Sequence, residues 1–528
     1  MIKKKRPLFL LFFCAAALIS AAPVFSQEEP PPLPPETSRE TLPELGEHEE
    51  VEYYIRSIDF EIEGRTRAFV LLEILDIKEG QRIASRTELE TLLRRKTQIL
   101  RNQRVLQDEE CWISYFINET ENGGPVPLDF LIHVKDAWNI FALPEPKYDS
   151  NTGLSITLKA RDWNFLGTMS PLEIDMGYEI DGKQSSFFAN IDTDIPFRFL
   201  GYTWNFNFDN AFTYNEFDPN YYKNVTGLTI DLPWRQTTFT VGFDQSFFLH
   251  EENSDEEKAK TAEEFFTDEW YMSSAFYAKW KIPLGIEMGD FGTLTYFPQL
   301  TENFNYRPGG DIGDYRRGPA TKFEHTFGFG QINWIGNFRN GLDVSISNVD
   351  TFNNYTMNWD FNAGMAVEGH IALTDFFGVS SRLQYKKYFS SEDYKVGANL
   401  RGIRDRDFIA DNVLSFNLEL PLRVLNFIPS RWFNSRAFRP FDVEVHLSPF
   451  VDLAFINGRS NPEYRDAENY VFGEPLAAAG FEVMVFSLPW RSLNLRASIG
   501  WDMQEWSKER KLPGGHYQEL YIGLHHFY

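Results

Sequence analysis

The stretch "LSFNLELPLR", residues 414–423, decides how the rest of the chain is read. Leu414, Phe416, Leu418, Leu420 and Leu422 alternate with Ser415, Asn417, Glu419 and Arg423. A period of two places the apolar side chains on one face of a β-strand and the polar ones on the other. The same alternation recurs at Trp204, Phe206 and Phe208, at Phe441, Val443, Val445, Leu447, Val451 and Leu453, and at Leu493, Leu495, Ala497, Ile499 and Trp501. A water-soluble sandwich also alternates. Strands of ~9–12 residues, however, match a tilted membrane crossing. Their apolar faces end in aromatics, and the chain stops on "ELYIGLHHFY", an alternating strand closing on Tyr528. The acidic insert at 250–269 suits a long external loop.

Composition fits the same reading. Aromatics make up 16% of the 528 residues, yet the net charge is −25. That charge excludes nucleic-acid binding through phosphate contacts, which needs basic faces. After residue 26 no apolar run reaches the ~18 residues of a transmembrane helix, so any crossing must be made by strands. With about 23 residues per strand and loop, residues 150–528 predict about sixteen strands in a transmembrane β-barrel.

The N-terminus reads as a leader. Lys3, Lys4, Lys5 and Arg6 precede an apolar stretch from Leu8 to Ala22, and small residues around Ser26 suit cleavage, so 1–26 is a signal peptide. Cys14 raises lipidation as an alternative. Cys111 is then the only mature cysteine and no internal disulfide framework can form. Residues 27–51 are a proline-rich acidic linker, with a polyproline ligand as the alternative.

Residues 52–140 predict a small α/β domain. Ile58, Phe60 and Ile62 alternate before Gly64, and a helix follows from Thr66. Ser85 and Glu88 form a capping box before a second helix, and two strands lie at 111–117 and 127–136. A generic α/β sandwich would look the same.

The segment 396–408, "VGANLRGIRDRDF", has no apolar periodicity and carries three arginines. In a barrel with a polar interior, Glu419 and Asp452 both project into the lumen from neighbouring late strands. An arginine buried there needs carboxylate partners, which its planar fork fits. A solvated external loop is the alternative.

Together these features resemble the BamA/TamA superfamily of outer-membrane assembly proteins. The resemblance rests on one polypeptide-transport-associated (POTRA)-like unit at about 54–138, the "LRGI" of Leu400, Arg401, Gly402 and Ile403, and "RDWNFLGT" at 161–168. It implies that the loop folds into the lumen and that Arg401 engages Glu419, Asp452 or both. Ile403 replaces the family's usual aromatic, and Ala454 stands where glycine is common. The resemblance further implies an outer-membrane barrel with its POTRA domain in the periplasm, and unfolded outer-membrane or secreted polypeptides, accessory lipoproteins and the lipid bilayer as partners. A lateral gate is expected between a first strand near Thr152 and the last strand, with Gly523 at its middle and Tyr528 at its end. A single POTRA unit is fewer than dedicated assembly proteins carry. A passive pore, a structural surface barrel and secretion of one dedicated partner therefore remain open.

No catalytic signature is present: neither G-x-S-x-G, H-E-x-x-H nor a P-loop occurs. "GFG" at 328–330 reads as a strand kink, and His525 and His526 lie on opposite faces of one strand. No enzyme activity, cofactor or metal is expected.

Overall fold

The computed structural model describes residues 51–117, 124–149, 153–181, 184–215, 220–249, 270–314, 316–389, 394–404, 407–460, 468–473, 475–504 and 518–524. The expected leader and nearly all of the linker, the acidic insert at 250–269, Thr152, His525, His526 and Tyr528 lie outside these residues.

The N-terminal domain comprises β1 (Tyr53–Glu63), α1 (Ala68–Leu75), β2 (Arg82–Ile83), α2 (Arg86–Asn102), β3 (Trp112–Ile117) and β4 (Val126–Lys135). Its sheet has the order β2-β1-β4-β3. The Val126 amide donates to the Glu52 carbonyl and the Asp136 amide to that of Glu63, so β1 and β4 run parallel at the centre. Leu128, Phe130, Ile132 and Val134 of β4 are buried, as are Leu71 and Leu75 of α1 and Leu89 and Leu100 of α2. The cap of α2 is built by its sequence. The Glu88 amide donates to Ser85 Oγ at 3.2 Å, and the Glu88 carboxylate accepts from the Ala84 amide at 2.8 Å. In β1 the fully buried positions are Tyr53 and Ile55 rather than Ile58, Phe60 and Ile62.

The remainder is one closed barrel of 18 strands, here β5 to β22. These are β5 (Ile140–Asp149), β6 (Gly153–Asp162), β7 (Leu172–Asp181), β8 (Gln184–Phe199), β9 (Tyr202–Asn215), β10 (Tyr221–Trp234), β11 (Thr237–Leu249), β12 (Trp270–Glu287) and β13 (Thr293–Tyr306). They continue with β14 (Ala320–Ile335), β15 (Phe338–Asn353), β16 (Asn358–Thr374) and β17 (Phe377–Tyr388). Strand β18 runs Phe408–Glu419 and resumes after a break as Leu422–Phe427. The circuit ends with β19 (Val443–Ser460), β20 (Pro475–Ser487), β21 (Asn494–Asp502) and β22 (Gln518–Leu524).

Eighteen strands replace the sixteen expected, for two reasons. At one end of the barrel several turns are very short, such as Phe199–Tyr202 and Trp234–Thr237, so fewer residues are used per strand than assumed. The barrel also begins at Ile140, ahead of the boundary placed at 150. The sequence there, "IFALPEPKYD", carries Pro144 and Pro146, which demote a strand pattern. Lengths differ too: β12 and β19 each span 18 residues, beyond the ~9–12 expected of a tilted crossing.

Outward positions are apolar and uncovered by protein. Leu154, Ile156 and Leu158 of β6 and Met176, Tyr178 and Ile180 of β7 are exposed, while Ser155 and Thr157 between them are buried inward. A closed barrel satisfies every ladder bond without an edge, and such a face is stable only against hydrocarbon. No described helix is long and apolar enough to cross a membrane. The strands do so.

Candidate functional site: a luminal loop and the closing strands

Between β17 and β18 the chain leaves the wall and turns into the lumen. Val396, Leu400, Ile403 and Phe408 bury themselves in one apolar cluster with Ala410, Val413, Ala454, Ile456, Leu476 and Ala478 of the wall. The last four sit on inward positions of β19 and β20, where a water-filled pore would carry polar groups. The loop is therefore seated on a greasy interior patch before any charge is counted.

Arg401 is 2% exposed. Its Nε donates to Asp452 Oδ2 at 3.0 Å and its Nη2 to Asp452 Oδ1 at 2.9 Å, a two-pronged grip. Its backbone amide reaches the same carboxylate at 2.8 Å. Nη1 bonds Glu419 Oε2 at 2.8 Å and lies 3.4 Å from Glu482 Oε2. The guanidinium also stands 4.0 Å from the centroid of the Phe450 ring. Asp452 is fully buried, and Arg401 reaches carboxylates on three adjacent strands, β18, β19 and β20, with Arg339 also near Glu419 and Arg496 on Glu482.

Gly402 lies against the wall with φ +103, and a Cβ there would fall 2.6 Å from the Trp501 amide nitrogen. Gly500 of β21 supplies the matching gap: its own Cβ would fall 2.7 Å from Gly402 Cα. The Gly402 amide donates to Glu519 Oε2 at 2.7 Å. Two consecutive residues of the loop thus engage β18 through β22. Asp405 and Arg406 lie outside the described residues, and Leu400 and Ile403 belong to the apolar seat rather than the charged cluster.

Glu482, Phe450, Gly500, Glu519 and Arg496 were not singled out from sequence. Arg496 bonds Glu482 Oε2 at 2.8 Å and stands 4.7 Å from the Tyr521 ring. In "PLAAAGFEVMVFS" both faces are apolar, so the inward direction is hidden, although a single glutamate in such a strand was a signal. Gly480 opposite Phe450 makes room for that ring, since its Cβ would sit 2.7 Å from Phe450 Cζ.

The closing pair of strands is β22 and β5, not β22 and a strand near Thr152. Among the described residues their ladder holds two pairs, Tyr521↔Asp149 and Ile522↔Tyr148. Gly523 and Leu524 add none. The flanking ladders β5–β6 and β21–β22 are paired over Ile140–Asp149 and Gln518–Leu524 respectively. Gly523 faces inward, where a Cβ would lie 2.6 Å from the Tyr521 hydroxyl and 3.2 Å from Glu145 Oε1. It gives the Tyr521 side chain its space.

No family model matches the chain, and no curated protein matches it. Among solved structures, BamA from Haemophilus ducreyi lacking POTRA domains 1–3 is 15% identical, with a TM-score of 0.40, over 89% of this chain and 84% of that one. CdiB from Escherichia coli is 10% identical at TM-score 0.40, over 98% and 97% of the two chains. The siderophore receptor PirA from Acinetobacter baumannii is 12% identical at 0.32, over 75% and 67%. Likeness at this level assigns the chain to no family.

Proposed function

We propose that this chain is an outer-membrane barrel of the BamA/TamA superfamily that assembles or translocates other polypeptides, with its α/β unit a POTRA domain in the periplasm. The observation that carries the reading is the short ladder between β5 and β22. A lipid-facing barrel loses several kcal/mol for each backbone group left unpaired in hydrocarbon, so a barrel selected only to be a wall should zip this junction fully. Gly523 and Leu524, which are described and yet unpaired with β5, support a junction that can part and offer its edges to an incoming strand.

The remaining features support the same reading. The luminal loop is fastened to the strands leading up to that junction, and its amide tie to Glu519 lies on the closing strand itself. In the α/β domain, β3 ends the sheet, and an edge strand of this kind takes extended chains by backbone pairing with little regard for sequence. Substrates would be unfolded outer-membrane or secreted polypeptides.

Depletion of the protein followed by an outer-membrane proteome tests this. Broad loss of other barrels fits a general insertase, and loss of one protein fits a dedicated transporter. An unchanged proteome overturns both and leaves a pore or structural barrel.

A further inference from the structure

The turn joining β18 to β19, residues 428–442, is unlike the others at its end of the barrel. Its sequence, "IPSRWFNSRAFRPFD", carries Arg431, Arg436 and Arg439 and no acid before Asp442, in a chain of net charge −25. It is folded: Pro429–Trp432 is a helical turn and Arg436–Phe441 a 3-10 turn. Asp442 clamps its base, accepting from the Ser430 amide at 3.0 Å, and the Phe433 amide bonds the Pro429 carbonyl at 2.9 Å.

Despite that order, its rings point outward. Trp432 is 64% exposed, Phe433 63% and Phe441 62%. They are grouped, with Phe433 and Phe438 centroids 4.7 Å apart. Arg431 and Arg439 are exposed among them. An apolar patch of this kind on a well-ordered turn implies a cover.

The patch continues the exposed apolar outer face of the wall. Val424 and Leu425 of β18 are exposed immediately before it, and Leu200, Trp234, Ile335 and Phe376 are exposed at other turns of the same end. Aromatic rings and arginines together suit the boundary where acyl chains meet phosphate headgroups.

We propose that residues 428–441 form a membrane foot that buries Trp432, Phe433, Phe438 and Phe441 in the near leaflet and holds anionic lipid headgroups with Arg431 and Arg439. The foot would fix the height of the β18–β19 wall, which carries Glu419 and Asp452, relative to the bilayer.

The test uses the full chain with Cys14 and Cys111 changed to Ser, reconstituted in vesicles and labelled with an environment-sensitive dye at Phe433→Cys, or at Phe438→Cys if the first fails to fold. A label at Asp311→Cys, on an external turn at the opposite end, serves as the solvent reference. The foot label should be quenched by brominated acyl chains and shielded from acrylamide, the reverse of the reference. Vesicles containing phosphatidylglycerol should quench it more than phosphatidylcholine alone, and Arg431→Gln with Arg439→Gln should abolish that difference. A label open to acrylamide and untouched by bromolipid overturns the proposal and leaves the patch to a protein partner. Equal quenching in both lipids overturns the headgroup role.

Discussion

At the scale of single residues, the charge arithmetic of the lumen sets the expectations. Asp452 is fully buried and its main cation is Arg401. Breaking one side of a buried pair strands the other charge, at a cost of about 3–5 kcal/mol. Arg401→Ala should therefore lower the melting temperature of the barrel, read as the loss of its heat-resistant compact band on cold gels. Arg401→Lys should recover little, because an ammonium cannot grip Asp452 with two parallel bonds while also reaching Glu419. Arg401→Met combined with Asp452→Asn should destabilise less than Arg401→Met alone, since the stranded charge is gone. Gly402→Ala should displace the loop even though no charge changes, because its φ of +103 and the Trp501 amide leave no place for a methyl. Of these partners, Glu419 and Asp452 could be read from alternation in "LSFNLELPLR" and "FVDLA", whereas Arg401 stood out only through the arginine run at 396–408 and the resemblance carried by "LRGI". Glu482 could not, because an apolar lumen makes both faces of its strand look alike.

At the scale of strands, β5 explains what the sequence hid and frames the tests of the proposed opening. Every residue of β5 from Ile140 to Asp149 is paired with β6. A proline cannot donate, so Pro144 and Pro146 each leave β5 without a ladder donor on one of its two sides. Restoring both donors with Pro144→Val and Pro146→Val should strengthen the ladders of β5, and raise thermal stability by about 1 kcal/mol for each bond gained. It should also impair growth if the bonds are gained on the β22 side and opening is the working step. The complementary experiment pairs Tyr148→Cys with Ile522→Cys, which face each other across the junction, in a Cys111→Ser background. Oxidation should stop function and reduction restore it. Full function with the crosslink complete would mean that the junction does not have to open. Glu519→Gln tests the tie between the luminal loop and the closing strand, since it weakens the hold on the Gly402 amide.

At the scale of the whole molecule, an α/β unit followed by a barrel was legible because period-two alternation and a missing transmembrane helix both survive in a single sequence. The number of strands was not, because it depends on turn lengths and on a proline-containing strand that resembles a linker. The same scale separates a machine from a pore. An 18-stranded barrel is wide enough for an aqueous channel if its interior is polar and empty. Here the loop from Val396 to Ile403 sits inside on an apolar seat and is fastened by Arg401 and Gly402. In planar bilayers the wild-type protein should therefore show little steady conductance. Arg401→Ala and Gly402→Ala should each raise the frequency of large openings, by freeing the same obstruction through different contacts. If the two variants conduct no more than the wild type, the loop is not what closes the lumen. If the wild type already conducts steadily at the level expected of an empty barrel, the passive-pore reading gains at the expense of the assembly one. A quiet wild type with two leaky variants would instead tie the plug to the residues that reach the closing strands, the arrangement expected when substrate arrival at the wall has to be matched by movement inside it.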